Sequence, residues 1–504
     1  MTAATLTLDP AFRSGRVDRR LFGTFVEHMG RCVYTGIHEP GHPTAGDSGF
    51  RGDVLELVRE LGPSIVRYPG GNFVSNYRWE DGIGPVEDRP RRPDLAWRAT
   101  ETNQVGIDEF MEWARRAEVE PMMAVNLGTR GVREAVDLLE YCNHPEGTAL
   151  SDLRRENGAK EPHDIRVWCL GNELDGPWQI GHKTAHEYGR LAAETARAMR
   201  RLDPRLELVA CGSSNTQMPT FASWEATVLA ECYEAVDYIS LHNYYDPLGR
   251  SRADHLASGV DLDRAIEAIV ATADHVGARL GSRHRLKVSV DEWNVWYQSH
   301  FHDQPSPEWE ESYPLIEDTY DVTDAAVVGS LLITLLRHAD RVGIACQAQL
   351  VNVIAPIRTR AGGPAWRQTI FHPFAQAAAL ARGDVLRVEP QVATYESADH
   401  GDVPYLDATA THDEETGALT LLAVNRSTDE PLELTAQVGA FSGYRLSEVT
   451  TLTHADPATA NTEDDPEAVV PVANPHARLT DGRLEVSLPP VSWNVVRLEP
   501  GTDR

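Results

Sequence analysis

Between about Leu21 and Leu350 the chain alternates short apolar runs, rich in Val, Ile and Leu, with longer stretches whose apolar residues recur every three or four positions. Short unbroken apolar runs are strands of a parallel sheet covered on both faces, and the longer spacing is that of an amphipathic helix. Eight strands can be placed: Gly23–His28, Ser64–Tyr68, Pro121–Asn126, Arg166–Leu170, Glu207–Cys211, Tyr238–His242, Lys287–Asp291 and Ile344–Gln349. Helical patterns lie between them at Ile107–Ala117, Val132–Tyr141, Thr184–Leu202, Leu262–Leu280 and Asp324–Ala339. Eight strand-then-helix units predict a (β/α)8 TIM barrel, an α/β fold.

After about Phe371 the rhythm changes. A last helix, Pro373–Leu380, gives way to the alternating segments LTLLAVNRS, LELTAQVG, YRLSEVTTL, LEVSLPPVSW and NVVRLE. Period-two alternation broken by turn residues predicts a C-terminal all-β sandwich, jelly-roll-like in kind. The opening TLTLD alternates too and is assigned to the same sandwich. The expected organisation is therefore residues 1–18 as an N-terminal strand joining the sandwich, 19–371 as the catalytic barrel and 372–504 as the β-sandwich. The Pro-, Ala- and acid-rich stretch Asp456–Pro475 reads as an exposed loop, and Ala325–Leu336 (AAVVGSLLITLL), too short to cross a bilayer, as a buried helix.

Charge narrows the partners. The 504 residues include 76 acidic against 47 basic side chains, a net charge of −29. That field repels phosphate backbones and anionic lipid, so nucleic acid and membrane are excluded as partners, while a neutral substrate is unaffected. No basic-then-apolar leader opens the sequence, which predicts a cytoplasmic protein. The six cysteines are scattered without a Cys-x-x-Cys pair and read as reduced, buried residues. Walker, Gly-x-Gly-x-x-Gly and Gly-x-Ser-x-Gly patterns are all missing from the sequence.

In such a barrel, working residues stand at the C-terminal ends of the strands. The polar residues ending the apolar runs are Glu27-His28, Arg67 followed by Pro-Gly-Gly-Asn72, Asn126, Asn172-Glu173, His242 to Tyr245, Asp291 to Trp296, and Gln347 with Gln349. Glu173 and Glu292 stand out, each directly ending an apolar strand, the fourth and the seventh. Glycoside hydrolysis needs two carboxyl groups, one to protonate the leaving oxygen and one to act at the anomeric carbon, and a spacing of about 5–5.5 Å gives retention. The alternative for each is a structural ion pair, Glu173 with Arg67 for example. His182 and His186 have the i, i+4 spacing of a metal pair, but HKTAHEY lacks a zinc-protease Glu and reads as a solvated helix face. No metal and no cofactor is expected. His300 and His302 read as surface or rim residues, Met122-Met123 as core, and Trp293 as packing behind Glu292.

The segments GNELDG (171–176), DEWNVW (291–296), FVEH (25–28), VRYPGGNFVSNYRWEDGIGP (66–85) and AQLVNVIAPI (348–357) resemble the alpha-L-arabinofuranosidases of glycoside hydrolase family 51 over nearly the whole chain. The resemblance implies an exo-acting, retaining enzyme that releases terminal arabinofuranose from arabinan, arabinoxylan or derived oligosaccharides. It implies Glu173 as general acid/base and Glu292 as nucleophile. Glu27, Arg67, Asn72, Asn172, Tyr244 and Gln349 match positions that hold the sugar or orient the nucleophile, and Trp97 and Trp296 match aromatic pocket walls. His242, sharing the strand end with Tyr244, is added as a substrate-binding candidate, and the loop carrying Trp79 and Trp97 is expected to close the non-reducing side. A homo-oligomer, commonly a hexamer, is also implied. Tyr68, Asn243 and the loop Ser299–Asp318 depart from the family pattern. Two other readings are a related barrel glycosidase with β-xylosidase or endoglucanase activity, and a non-catalytic carbohydrate-binding protein.

Overall fold

The computed structural model describes residues 2–303 and 305–501. Eight parallel strands close into a barrel in sequence order: β1 (Gly23–Phe25), β2 (Ile65–Tyr68), β3 (Glu120–Ala124), β4 (Val167–Leu170), β5 (Glu207–Ala210), β6 (Tyr238–Tyr245), β7 (Lys287–Val295) and β8 (Val342–Ala348). Their apolar residues are buried on both faces, which is why each reads as an unbroken apolar run. β6 and β7 run past the expected ends at His242 and Asp291, and the added residues carry the site.

The helical ring includes Gly52–Leu61, which the periodicity reading passed over, and ends with Phe371–Leu380. The latter packs against the first helix and against Val322–Arg337, and it also meets the sandwich, where Trp493 Nε1 donates to Gln376 Oε1 (2.9 Å) and Gln376 Nε2 to Thr450 Oγ1 (2.9 Å). Val322–Arg337 is buried on every side apart from its last residue, because the barrel lies on one face and the sandwich on the other. At Gly329 a β-carbon would stand 2.4 Å from the Trp493 ring, so only glycine lets the two domains approach this closely. Beside it, buried Asp407 accepts hydrogen bonds from Arg337 (2.7 Å), Arg426 (2.5 Å) and Ser330, tying sandwich to barrel.

The sandwich has a five-stranded and a seven-stranded sheet. Thr2–Thr7 runs parallel to Leu432–Gln437 in the first, and Arg13–Arg16 pairs with Asp384–Leu386 in the second. Leu419–Asn425 is buried throughout since Leu419, Leu421 and Ala423 face the core between the sheets while Leu422 and Val424 face the barrel. The segments LEVSLPPVSW and NVVRLE divide differently from the expectation. Strands cover Arg483–Leu488 and Ser492–Pro500, and the break falls at Pro489-Pro490, whose missing N–H groups cannot continue a ladder. Asp456–Pro475 is also less exposed than its composition suggests. Val469 is buried and clamped on both backbone groups by the buried Asn461 side chain.

All six cysteines are free and buried. Among the described residues no helix is long and apolar enough to cross a membrane.

Candidate active site

The C-terminal rim surrounds a cavity of about 490 Å³. Glu27, Asn72, Trp97, Glu173, Tyr244, Glu292, Trp296 and Gln349, all singled out from the sequence, line it. The other three candidates are buried just beneath its floor rather than facing the open space: Arg67 and His242 touch the two carboxyl groups, and Asn172 touches Arg67 and Asn72.

Glu292 is held from two sides. Arg67 Nη1 donates to its Oε1 at 2.6 Å and the Tyr244 hydroxyl to its Oε2 at 2.7 Å. Arg67 Nη2 donates to Asn172 Oδ1 (2.7 Å), and Asn172 Nδ2 passes the chain on to Asn72 Oδ1 (3.1 Å). The structural ion pair considered for Glu173 and Arg67 does not form; Arg67 goes to Glu292 and, at 3.5 Å, to Asp291.

Glu173 follows Gly171 (φ +97°) and itself lies in the left-handed region at φ +44°. A non-glycine residue held there stores backbone strain of about 1–3 kcal/mol, and such strain gathers at functional sites. Its Oε1 meets His242 Nδ1 at 2.9 Å, and its Oε2 accepts from Trp178 Nε1 at 3.2 Å. His242 Nε2 contacts Asp291 Oδ1 at 3.2 Å, so both ring nitrogens are engaged by carboxylates. Burial alone would depress the imidazolium, but Glu292, Asp291 and Glu173 outweigh it and lift His242 to about 10. Burial raises the Glu173 carboxyl above the ordinary range; the His242 hydrogen bond opposes that and nearby Glu292 reinforces it. An oxygen of Glu173, an oxygen of Glu292 and a nitrogen of His242 all lie within 4.8 Å of one another.

Asp291 and Glu292 are neighbours in a strand, where alternation would send them to opposite faces. A bulge in β7 resolves this: Ser240 of β6 is level with Ser289 and His242 with Glu292, so β7 carries an extra residue between the two levels and both carboxylates turn inward. Trp293 is wholly buried behind them, as expected.

On the opposite wall, Glu27 Oε1 accepts from the Phe73 backbone N–H (2.9 Å) and Trp97 Nε1 (3.0 Å), and its Oε2 from Gln349 Nε2 (3.2 Å). Burial pushes Glu27 up to about 8 despite those donors. Trp79 is buried against Tyr141 and lines no part of the cavity, so Trp97 alone of that pair closes the wall. Sequence reading missed Trp178, half-exposed at the mouth; an indole five residues after Glu173 was the available signal. It also left open the loop after β7. There Gln298–Asp303 forms a short helix tied to Asp246 by Ser299, which brings Phe301 and His302 to the cavity. His300 is exposed. His182 lies ahead of the helix Ala185–Leu202 that carries His186, so the two do not share a helical face.

A closed parallel barrel with two buried carboxyl groups this close, at the base of a sugar-sized cavity on its C-terminal rim, defines a glycoside hydrolase. Residues 57–258 match the family model for the alpha-L-arabinofuranosidase 1 domain and residues 291–492 that for the alpha-L-arabinofuranosidase C-terminal domain. The chain belongs to the alpha-L-arabinofuranosidases of glycoside hydrolase family 51. An intracellular exo-alpha-(1->5)-L-arabinofuranosidase of Streptomyces lividans is 59% identical over 503 residues, covering 99% of this chain and 75% of that protein. Intracellular exo-alpha-(1->5)-L-arabinofuranosidase 1 of Bacillus subtilis strain 168 is 52% identical over 99% of both chains. A solved family 51 alpha-L-arabinofuranosidase from Bifidobacterium longum matches with a TM-score of 0.95 at 47% identity, covering 99% of this chain and 100% of that one.

Proposed function

We propose that this chain is a retaining, exo-acting alpha-L-arabinofuranosidase of the cytoplasm that releases terminal arabinofuranosyl residues from arabinan, arabinoxylan or derived oligosaccharides. The observation that carries the retaining part is the approach of the Glu173 and Glu292 oxygens to within 4.8 Å. Inverting enzymes hold the pair about 6.5–9.5 Å apart to seat a water between carboxylate and sugar. Here Glu292, aimed by Arg67 and Tyr244, attacks the anomeric carbon while Glu173 gives its proton to the departing glycosidic oxygen. Glu173, now anionic, then takes a proton from water; the resulting hydroxide equivalent attacks the same carbon and frees Glu292. His242 acts as a positioning residue, its charge fixed between Asp291 and Glu173.

The exo reading rests on the far wall. Glu27, Trp97 and Gln349, joined by hydrogen bonds, line the cavity with Asn72 as a wall whose polar groups meet the hydroxyls of a terminal sugar. An endoglucanase would need that wall open, and a silent binder would need neither carboxyl group. Incubation with a mechanism-based arabinofuranosyl inactivator and peptide mass mapping should place the label on Glu292. A label elsewhere, or a first-formed product of inverted configuration, defeats the mechanism. Early di- and trisaccharides from an unbranched arabinan, ahead of arabinose, would defeat the exo reading. The hexamer implied by the family is part of the proposal and is read directly by sedimentation equilibrium.

A further inference from the structure

Glu173 opens a tight turn, Glu173 to Gly176, closed by the Gly176 N–H donating to the Glu173 carbonyl at 2.9 Å. A non-glycine residue stays in the left-handed region only where its surroundings hold it there, so this turn needs anchors. One is local: the Leu174 carbonyl accepts from the Lys183 N–H at 2.8 Å, within the same loop after β4. The other is Asp175, which reaches across to the loop that follows β5. Its Oδ1 and Oδ2 accept from the Ser214 N–H at 3.1 and 3.2 Å, and Oδ1 also accepts from the Ser214 hydroxyl.

The loop after β5 is a fixed post. The Gly212 N–H donates to Ser240 Oγ of β6 (2.9 Å), and the Ser213 N–H to Glu225 Oε1 of the helix Ser223–Cys232 (2.7 Å). Three successive backbone N–H groups thus each end on a side chain from another element, and Asp175 takes the third. Ser214, Glu173 and Trp178 line the catalytic cavity, whereas Asp175 does not. Asp175 therefore reaches the reaction only through Glu173.

We propose that Asp175 is a positioning residue for the acid/base, clamping the strained turn that carries Glu173 to the loop after β5. This rests on Glu173 being the acid/base. The clamp also brings a charge with it. Glu173 is faced by His242 from β6, Glu292 from β7 and Asp175 from its own turn. Asp175 is faced by Glu173, His242, Glu225 and the Cys211 thiol. His242, as a cation, draws the proton off Glu173, while Glu292 and Asp175, as anions, hold it on. Glu292 loses its charge once the sugar is bonded to it, so Asp175 is the carboxylate that keeps Glu173 basic when it has to take a proton from water.

The test compares Asp175→Ala and Asp175→Asn in the full chain, on an activated aryl arabinofuranoside and on an arabino-oligosaccharide. Asp175→Ala lets the turn relax, and the strain released sets the loss. It should be about 5- to 150-fold in kcat/KM on the oligosaccharide, whose leaving group needs the proton, and far smaller on the aryl substrate. Asp175→Asn keeps an Oδ1 acceptor for Ser214 and should recover most of that loss. It lacks the charge, so the alkaline limb of its kcat/KM profile on the oligosaccharide, where Glu173 gives up its proton, should move to lower pH. A limb that stays at the wild-type pH overturns the proposal, and so does an Asp175→Ala enzyme that loses both substrates equally. Should Asp175→Ala not fold, the limb of Asp175→Asn decides alone. Failure of the acid/base assignment reads differently: Glu173→Ala then yields no glycosyl azide with azide, whatever the Asp175 variants do.

Discussion

An alanine at position 71 would place its β-carbon 2.5 Å from Glu27 Oε2, 2.7 Å from Oε1 and 2.8 Å from Cδ. All three distances are inside van der Waals contact, and the carboxyl group has to retreat by roughly 0.7–1 Å. The bonds it accepts from Phe73 N (2.9 Å) and Trp97 Nε1 (3.0 Å) then pass the limit of about 3.5 Å. With Glu27 near 8, both are hydrogen bonds to a largely neutral acid at pH 7, at about 0.5–1.5 kcal/mol each. The combined loss of about 1–3 kcal/mol corresponds to about a 5- to 150-fold fall in kcat/KM for an aryl arabinofuranoside. Gly46→Ala, where a β-carbon meets nothing within 4 Å, is the matched control and should be silent. The cause is isolated by a double-mutant cycle: once Glu27→Ala has removed the carboxyl group, Gly71→Ala should cost little more. A Gly71→Ala enzyme within twofold of wild type, or full additivity in the cycle, refutes the reasoning.

Glu173→Ala should slow substrates with poor leaving groups by roughly 10²–10⁴-fold and activated aryl arabinosides far less, with azide restoring turnover as a glycosyl azide of retained configuration; equal losses reject the acid/base role. Tyr244→Phe removes a 2.7 Å bond to Glu292 and should cost about 1.5–3 kcal/mol, about 10- to 150-fold in kcat/KM, with little change in Tm. Because Glu27 is raised from 4.5 to about 8, the unfolded chain gives up that proton first, so folded stability falls as pH rises between those values. Glu27→Gln should flatten that part of the Tm-against-pH curve, and an unchanged slope would exclude Glu27 as its source. Residues 18–371 expressed alone should aggregate, since Val322–Arg337 loses its cover and Arg337 its partner Asp407; a soluble, fully active fragment would contradict this.

The order of strands and helices needed no coordinates, because a barrel strand covered on both faces has to be apolar without interruption and its first exposed polar residue marks the rim. Glu173 and Glu292 were legible for that reason, each a carboxyl where an apolar run stops. The burial of Ala325–Leu336 was legible too, though not that two domains share the burying. Three-dimensional closure decided which rim residues line the cavity and which lie beneath it. Glu27, Asn72, Trp97, Tyr244, Trp296 and Gln349 reached the cavity, while Arg67, Asn172 and His242 went beneath it. Strand alternation has a period of two and cannot foresee an inserted residue, and the bulge in β7 is what turns Asp291 and Glu292 to the same side. Trp178 and Phe301 reach the mouth from loops, where direction is set by contacts such as Ser299 with Asp246 rather than by any periodic pattern.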